Sequence, residues 1–414
     1  MAAQKKKRDL LALATIPLMM TLGNSMLIPI LPSLRKELHV GSLQVSLIIT
    51  VYSVVAIFLI PIAGFLSDRI GRKKVIIPSL AITGAGGLVA GLAAWWSDHS
   101  YGWILAGRLL QGIGAAGSAP IVIPLVGDMF KQESEVSAGL GLIETANTFG
   151  KVLSPILGSL LAVLVWFLPF FAIPVISVLS LILVAVLVKV PKKGEEEPQT
   201  LKRFFASIKS VFGQKGKWLY AIFAVGGICM FLVFGSLFFL SQVLEDRYGI
   251  HGVAKGGLLA IPTAALCISS FAAGKWIGEN KLRMKWLNLA GAVVVAAAMF
   301  CCGWFRTGSI LWLFVFLSLG GAGIGAALPC LDALITEGIE KKQRGTVTAI
   351  YSSMRFIGVA AGPPAASLLL DQSHRLLFFT MAALGIVSAL LAAFAIKPRE
   401  AKPGPAPKGR LAET

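Results

Sequence analysis

The stretch Gly141-Leu142-Ile143-Glu144-Thr145-Ala146-Asn147-Thr148-Phe149-Gly150-Lys151-Val152-Leu153-Ser154-Pro155-Ile156-Leu157-Gly158-Ser159 has a second copy in the chain. Shifted by 208 positions, its frame of small residues and proline returns as Ala349, Gly358, Gly362-Pro363 and Ala366-Ser367. The same shift superposes Gly112 on Gly320 and Gly117 on Gly325, so the correspondence extends beyond one helix. Two copies of one apolar unit are what a two-bundle membrane carrier is built from.

Composition agrees. Hydrophobic residues make up 56% of the chain, charged residues 14%, and the mean hydropathy is +0.80; a soluble domain carries about 25% charged residues. The apolar residues fall into about twelve runs of roughly 20 residues, the length a helix needs to cross the hydrocarbon. These runs start near Leu10, Leu43, Val75, Gly102, Ser137, Val165, Trp218, Ala254, Trp286, Ile310, Thr346 and Leu376. The first opens with Lys5-Lys6-Lys7-Arg8 in the manner of a secretory leader. It continues through Pro29 without a small-residue cleavage site, so it is expected to be retained.

The net charge of +18 would suit a nucleic-acid binder, but its distribution argues against one. With the N-terminus in the cytoplasm, one side collects Lys5–Arg8, Arg69, Arg72, Lys73, Lys74, the basic groups from Lys192 to Lys217, then Lys281, Arg283, Lys285, Lys341, Lys342, Arg344 and the tail from Lys397 to Arg410. The other side keeps mainly Arg35, Lys36, Arg247, Lys255, Arg306 and Arg375. That asymmetry is the positive-inside pattern of a multi-pass protein of the cell membrane with both termini cytoplasmic. Cys229, Cys267, Cys301, Cys302 and Cys330 all lie in apolar runs without CxxC spacing or a His cluster, so no metal, cofactor or disulfide framework is expected.

The longest polar interruption divides the chain. Residues 1–188 are expected to form one six-helix bundle and residues 218–396 the second. Residues 189–217 form a cytoplasmic linker, in which Leu201, Phe204, Phe205, Ile208, Val211 and Phe212 recur at helical spacing among lysines, as in a helix lying on a membrane surface. Residues 397–414, rich in Pro, Lys and Ala, are expected to be a disordered tail. The fold class is therefore all-α, with twelve transmembrane helices in two pseudo-symmetric bundles.

Between the second and third runs stands Gly64-Phe65-Leu66-Ser67-Asp68-Arg69-Ile70-Gly71-Arg72-Lys73-Lys74. This loop resembles the signature of the major facilitator superfamily, with every signature position filled. The resemblance extends over about residues 8 to 397 and implies the two-bundle fold, a monomer and transport by alternating access. It implies that Gly64 permits close helix approach and that Asp68 faces the positive end of a helix in the other bundle. It also implies that Arg69 and Arg72, around Gly71, help hold the cytoplasmic side closed. The equivalent loop Gly274–Lys285 lacks the Asp-Arg pair, so no symmetric second gate is expected.

The Gly141–Ser159 frame resembles the fifth-helix motif of proton-coupled drug exporters in that superfamily, with Ser154 and Ser159 where glycines are usual. Independently of any family, Gly150 and Gly158 allow close packing, and Pro155 removes a backbone hydrogen bond and bends its helix. Gly362 and Pro363 repeat the device in the second half. All five are expected to act in gating.

Ionisable residues inside spans are the best site candidates, since each costs about 2.5 kcal/mol or more at the membrane centre. Glu144, Asn147 and Lys151 share one face of the fifth helix, where acid and base could hold each other charged across Asn147 or exchange a proton. Asp332 and Arg355 lie at similar depth in the tenth and eleventh runs, within about 5–8 Å by helical rise. Arg108, in Arg108-Leu109-Leu110-Gln111-Gly112, matches the fourth-helix motif that the family links to proton transfer; an arginine keeps its charge and can only tune a neighbouring acid or bind an anion. Asn24 stands where related exporters often carry an acid, which moves the proton-carrier expectation to Glu144 and Asp332. Tyr52, Met230 and Phe234, with Asn24, Glu144, Asn147, Lys151 and Arg355, are the expected substrate contacts, in a pliable apolar pocket.

The expected function is proton-driven export of small amphiphilic compounds or drugs, with the small molecule, protons and membrane lipid as partners and no nucleic acid. Export of a specific lipid, siderophore or metabolite anion is the alternative, in which Lys151 and Arg355 would serve an anionic group. Uptake by symport and a transport-inactive receptor are weaker readings. No GxSxG, HExxH or nucleotide-binding signature suggests an enzyme.

Overall fold

The structure, a computed structural model, describes residues 2–96, 100–130, 133–189, 201–278, 280–305, 309–339 and 341–396. Among the described residues twelve helices are long and apolar enough to span a bilayer: α1 Arg8–Glu37, α2 Ser42–Ile70, α3 Arg72–Trp96, α4 Ser100–Met129, α5 Gly139–Leu164, α6 Leu168–Leu187, α7 Gly216–Asp246, α8 Gly252–Ile277, α9 Lys281–Trp304, α10 Ile310–Ile335, α11 Gly345–Gln372 and α12 His374–Ala395. Among the described residues all regular structure is helical, as backbone surrounded by lipid requires. Tryptophans 95, 96, 103, 304 and 312 stand exposed near the span ends, and Phe58, Val175, Ile268 and Phe394 are exposed along them. This is the surface of a multi-pass integral membrane protein, with aromatic belts where hydrocarbon meets headgroups.

The repeat read from the sequence is carried into the packing. In the first bundle α3 lies against α4 and α6, α1 against α5, and α2 against α4; in the second, α9 lies against α10 and α12, α7 against α11, and α8 against α10. Each contact has its counterpart six helices on. The bundles meet along two seams, α2 with α11 and α5 with α8, which the same pseudo-symmetry exchanges.

Packing between helices in lipid relies on van der Waals contact rather than hydrophobic burial. A Cβ on Gly158 of α5 would collide with the Met26 carbonyl of α1, and one on Gly358 of α11 would collide with the Gly227 carbonyl of α7. The two helix pairs are related by the repeat, though the positions are not superposed by the shift, and neither position has room for a side chain. Two helices are interrupted, and others carry proline without a break. In α1 the helix stops at Ser25, passes through a tight turn at Ile28–Ile30 and resumes at Leu31. In α4 it breaks between Ala116 and Ala119. Helix α5 carries Pro155 without ending, as α11 carries Pro363 and Pro364. Gly71 ends α2 at φ +106°, a conformation open to glycine, and lets the chain turn directly into α3.

One boundary differs from expectation. The helix containing α7 begins at Leu201 and runs unbroken to Asp246, so the segment read as a separate surface helix continues into the span. The preceding linker residues 190–200 and the tail 397–414 lie outside the described residues.

Candidate substrate and gating site

Between the two bundles, Glu144, Asn147 and Lys151 of α5 come together with Asp332 of α10 and Arg355 of α11. The four charges lie within electrostatic range of one another. Asp332 Oδ1 accepts from Arg355 Nη1 at 3.5 Å, the contact expected from their depths, and the guanidinium sits 5.6 Å from the Tyr351 ring centroid. On α5 the arrangement differs from the expected bridge. Asn147 Nδ2 donates to both Glu144 oxygens at 3.2 Å, while its Oδ1 accepts from Thr21 of α1 at 2.6 Å. Asn147 therefore holds Glu144 alone.

Lys151 is 6% exposed, and its Nζ makes no hydrogen bond to any described residue. It borders a narrow cleft together with Ser25, Ile28, Ser154, Pro155, Phe234 and Leu259. A buried ammonium without an acceptor is costly. The nitrogen itself is covered, beside the cleft rather than open to it. Both Phe234 and Met230 belong to the core here, and of the two Phe234 also lines this cleft.

Arg108 forms a separate knot and is fully buried. It donates to the Ile48 carbonyl at 2.8 Å, the Gly23 carbonyl at 3.1 Å, and the side-chain oxygens of Asn24 and Gln111. Its guanidinium stacks 4.6 Å from the Tyr52 ring. These hydrogen-bond acceptors are all neutral, and among the described residues no carboxylate accepts from it. Asn24 and Tyr52, expected at the substrate, are placed in this knot, which ties α1, α2 and α4 together.

The signature loop makes a network within the first bundle. Arg72 pairs with Asp68 at 2.7 Å and Asp128 at 3.0 Å and donates to the Ser67 hydroxyl. Lys73 reaches the Ala185 and Val188 carbonyls at the end of α6, favourable for a cation at a helix C-terminus. Gly64, Asp68 and Arg72 border a second cleft with Gly345, Thr346 and Ala349 of α11. A Cβ on Gly64 would sit 3.6 Å from that of Ala349, an ordinary contact. Arg69 is exposed. Of the other gating candidates, Gly150 packs on Thr21, the Pro155 carbonyl abuts Gly256 of α8, and Gly362, next to Pro363 in sequence, abuts α7 at Phe231 and Gly235.

A further site was not anticipated. On the face opposite the chain termini, the Glu245 carboxylate, 3% exposed, accepts from Lys255 of α8 and Lys36 of α1, both at 2.9 Å. His251 approaches it to 3.8 Å, and Arg35 pairs with Asp246 at 3.6 Å. The Ser241 hydroxyl donates to the Ile28 carbonyl in the α1 break at 2.9 Å, and Thr50 donates to the Ala360 carbonyl at 2.8 Å. The two bundles are thus latched at this far face. The signal was legible: Glu245 and Asp246 are acids at a span end opposite Arg35, Lys36 and Lys255, which the charge asymmetry counted only as basic residues.

A model of the family described as the Major Facilitator Superfamily matches residues 13–312 and 281–413. The chain belongs to the Major Facilitator Superfamily. It is 54% identical over 396 residues to the bacillibactin exporter of Bacillus subtilis (strain 168), covering 95% of this chain and 98% of that protein. Multidrug resistance protein 2 of the same organism is 26% identical over 356 residues, covering 84% and 86%. Among solved structures, the human organic anion transporter MFSD10 (TETRAN) superposes with a TM-score of 0.76 at 21% identity, covering 93% of this chain and 99% of that one. That superposition speaks for the superfamily fold.

Proposed function

We propose that this chain exports an anionic siderophore of the bacillibactin class across the cell membrane by alternating access. The observation that carries the proposal is the pair of cations, the buried Lys151 and the part-buried Arg355, between the bundles of a chain alike over nearly its whole length to a bacillibactin exporter. Siderophores hold iron through acidic oxygen donors, and such oxygens are what an unpartnered ammonium and a guanidinium recognise. The basic asymmetry supports cytoplasmic termini, so the latched far face is external and the site is loaded from inside. Glu144 and Asp332 are the groups that would take part in proton movement.

Efflux of amphiphilic drugs is the second reading, favoured by the 26% identical multidrug resistance protein and the apolar wall around Phe234. For a cationic drug, substrate and proton would compete for Glu144 or Asp332, which is antiport.

The test is expression in a bacillibactin-producing bacterium that lacks its own exporter. Restored siderophore in the medium, lost in Lys151→Met at equal protein level, supports the proposal. Unrestored secretion together with resistance to lipophilic cations favours drug efflux. Wild-type secretion by Glu144→Gln would remove Glu144 from the coupling.

A further inference from the structure

Charge signs at the site bear on how substrate and proton are coupled. The cluster holds two cations, Lys151 and Arg355, and two carboxylates, Glu144 and Asp332; Tyr351, Cys229 and Cys267 are the other titratable side chains facing it. With both acids ionised the four formal charges cancel. Arg355 is engaged by Asp332 and Glu144 is held by Asn147, while Lys151 is without a hydrogen bond and borders the cleft. The cleft is lined mainly by an apolar wall of Phe234, Leu237, Leu259 and Val233, with Ser25 and Ser154 beside it.

We propose that the Lys151 cleft is a binding site for an oxyanion carried on an aromatic ring, and that it binds this anion together with a proton rather than in exchange for one. The proposal rests on the siderophore reading and deepens it. An anion docking on Lys151 adds negative charge beside two carboxylates, and protonating either carboxylate removes that repulsion. Protonating Asp332 also releases Arg355 as a second cation for the anion. By linkage, each ligand then strengthens the other's binding by the same factor. Antiport by direct competition needs the opposite sign, which a cationic substrate would have. A phenolic acid could supply both partners itself: its O–H bond breaks, the oxyanion meets Lys151, and the proton forms a new O–H bond on Asp332 or Glu144, with no net change in charge. Export would then follow the outward gradient of the substrate, without a proton taken up in return.

The experiment uses the purified full-length chain in lipid nanodiscs and two probes of fixed charge, 2-naphthalenesulfonate and 2-naphthyltrimethylammonium, titrated calorimetrically between pH 5.5 and 8.5. The sulfonate is expected to bind, with a Kd falling as pH falls, by up to about tenfold per pH unit for each proton taken up. Lys151→Met should abolish its binding and Lys151→Arg should keep it. Glu144→Gln with Asp332→Asn should bind the sulfonate with no pH dependence, which keeps the test informative even if Lys151→Met does not fold. Sulfonate binding that weakens as pH falls, or binding of the trimethylammonium probe alone, overturns the proposal. If bacillibactin is exported in cells yet the sulfonate ignores Lys151→Met, this inference fails and the export reading stands. If the sulfonate behaves as expected and bacillibactin is not exported, the reverse holds.

Discussion

Glu245 and Lys255 meet at 2.9 Å with side chains 3% and 2% exposed, and Lys36 closes on the same carboxylate from the other bundle. Removing one member of a buried pair leaves the other charge uncompensated, at about 3–5 kcal/mol. Glu245→Gln is therefore expected to destabilise the state closed at the far face. A cysteine at Ser241, fully buried beneath the latch, should react with a membrane-impermeant maleimide at least about tenfold faster in that background. An unchanged labelling rate would mean that the latch does not hold the face shut.

The Arg108 knot gives a second prediction. Hydrogen bonds to a charged group contribute about 1.5–3 kcal/mol each, and a lysine has neither the planar fork nor the reach to meet acceptors on three helices. Arg108→Lys should lower the thermal unfolding midpoint of the solubilised protein and abolish transport. Retention of both would show that the knot is dispensable.

Asn24→Asp tests the neutrality of that knot. The carboxylate would meet the guanidinium at the distance Asn24 now occupies, so the variant should fold. It would also place a titratable group where the wild type has none. The pH profile of transport should gain a limb absent from the wild type; superimposable profiles would argue against it.

Small-residue contacts within a bundle and at the seam predict contrasting tolerance. Gly158→Ala drives a methyl into the Met26 carbonyl, and such overpacking costs about 1–3 kcal/mol. Gly64→Ala only brings a methyl into ordinary contact with Ala349. Yield of monodisperse protein should fall for Gly158→Ala and Gly358→Ala and hold for Gly64→Ala. Equal yields for all three would remove the steric argument.

Much of this architecture was legible in one dimension. Hydropathy placed the spans because lipid leaves the backbone few options, and the 208-residue shift exposed the pseudo-symmetry because paired crossings need paired small residues. The Asp332–Arg355 contact followed from depth alone. What could not be read was azimuth. Asn24 and Tyr52 lie on helices that border the seam, and only packing decides that both serve Arg108. Spacing likewise put Asn147 between Glu144 and Lys151, but Thr21 on another helix orients the amide, so it serves Glu144. The latch was missed for a related reason: its partners lie 209 residues apart at Lys36 and Glu245, and charge counting along a chain does not show which ends converge.

The two arms of the latch differ in their access to water. Lys36 is 58% exposed and Lys255 is 2% exposed, yet both hold one carboxylate. Mobile ions shorten the reach of exposed charges to about 8 Å at physiological strength and leave buried ones nearly untouched. Salt on the far side of the membrane therefore loosens the arm that joins the two bundles and spares the arm that lies within one. The salinity of one compartment thus bears on how readily the carrier opens toward it, while the same salt in the other compartment does not reach the latch.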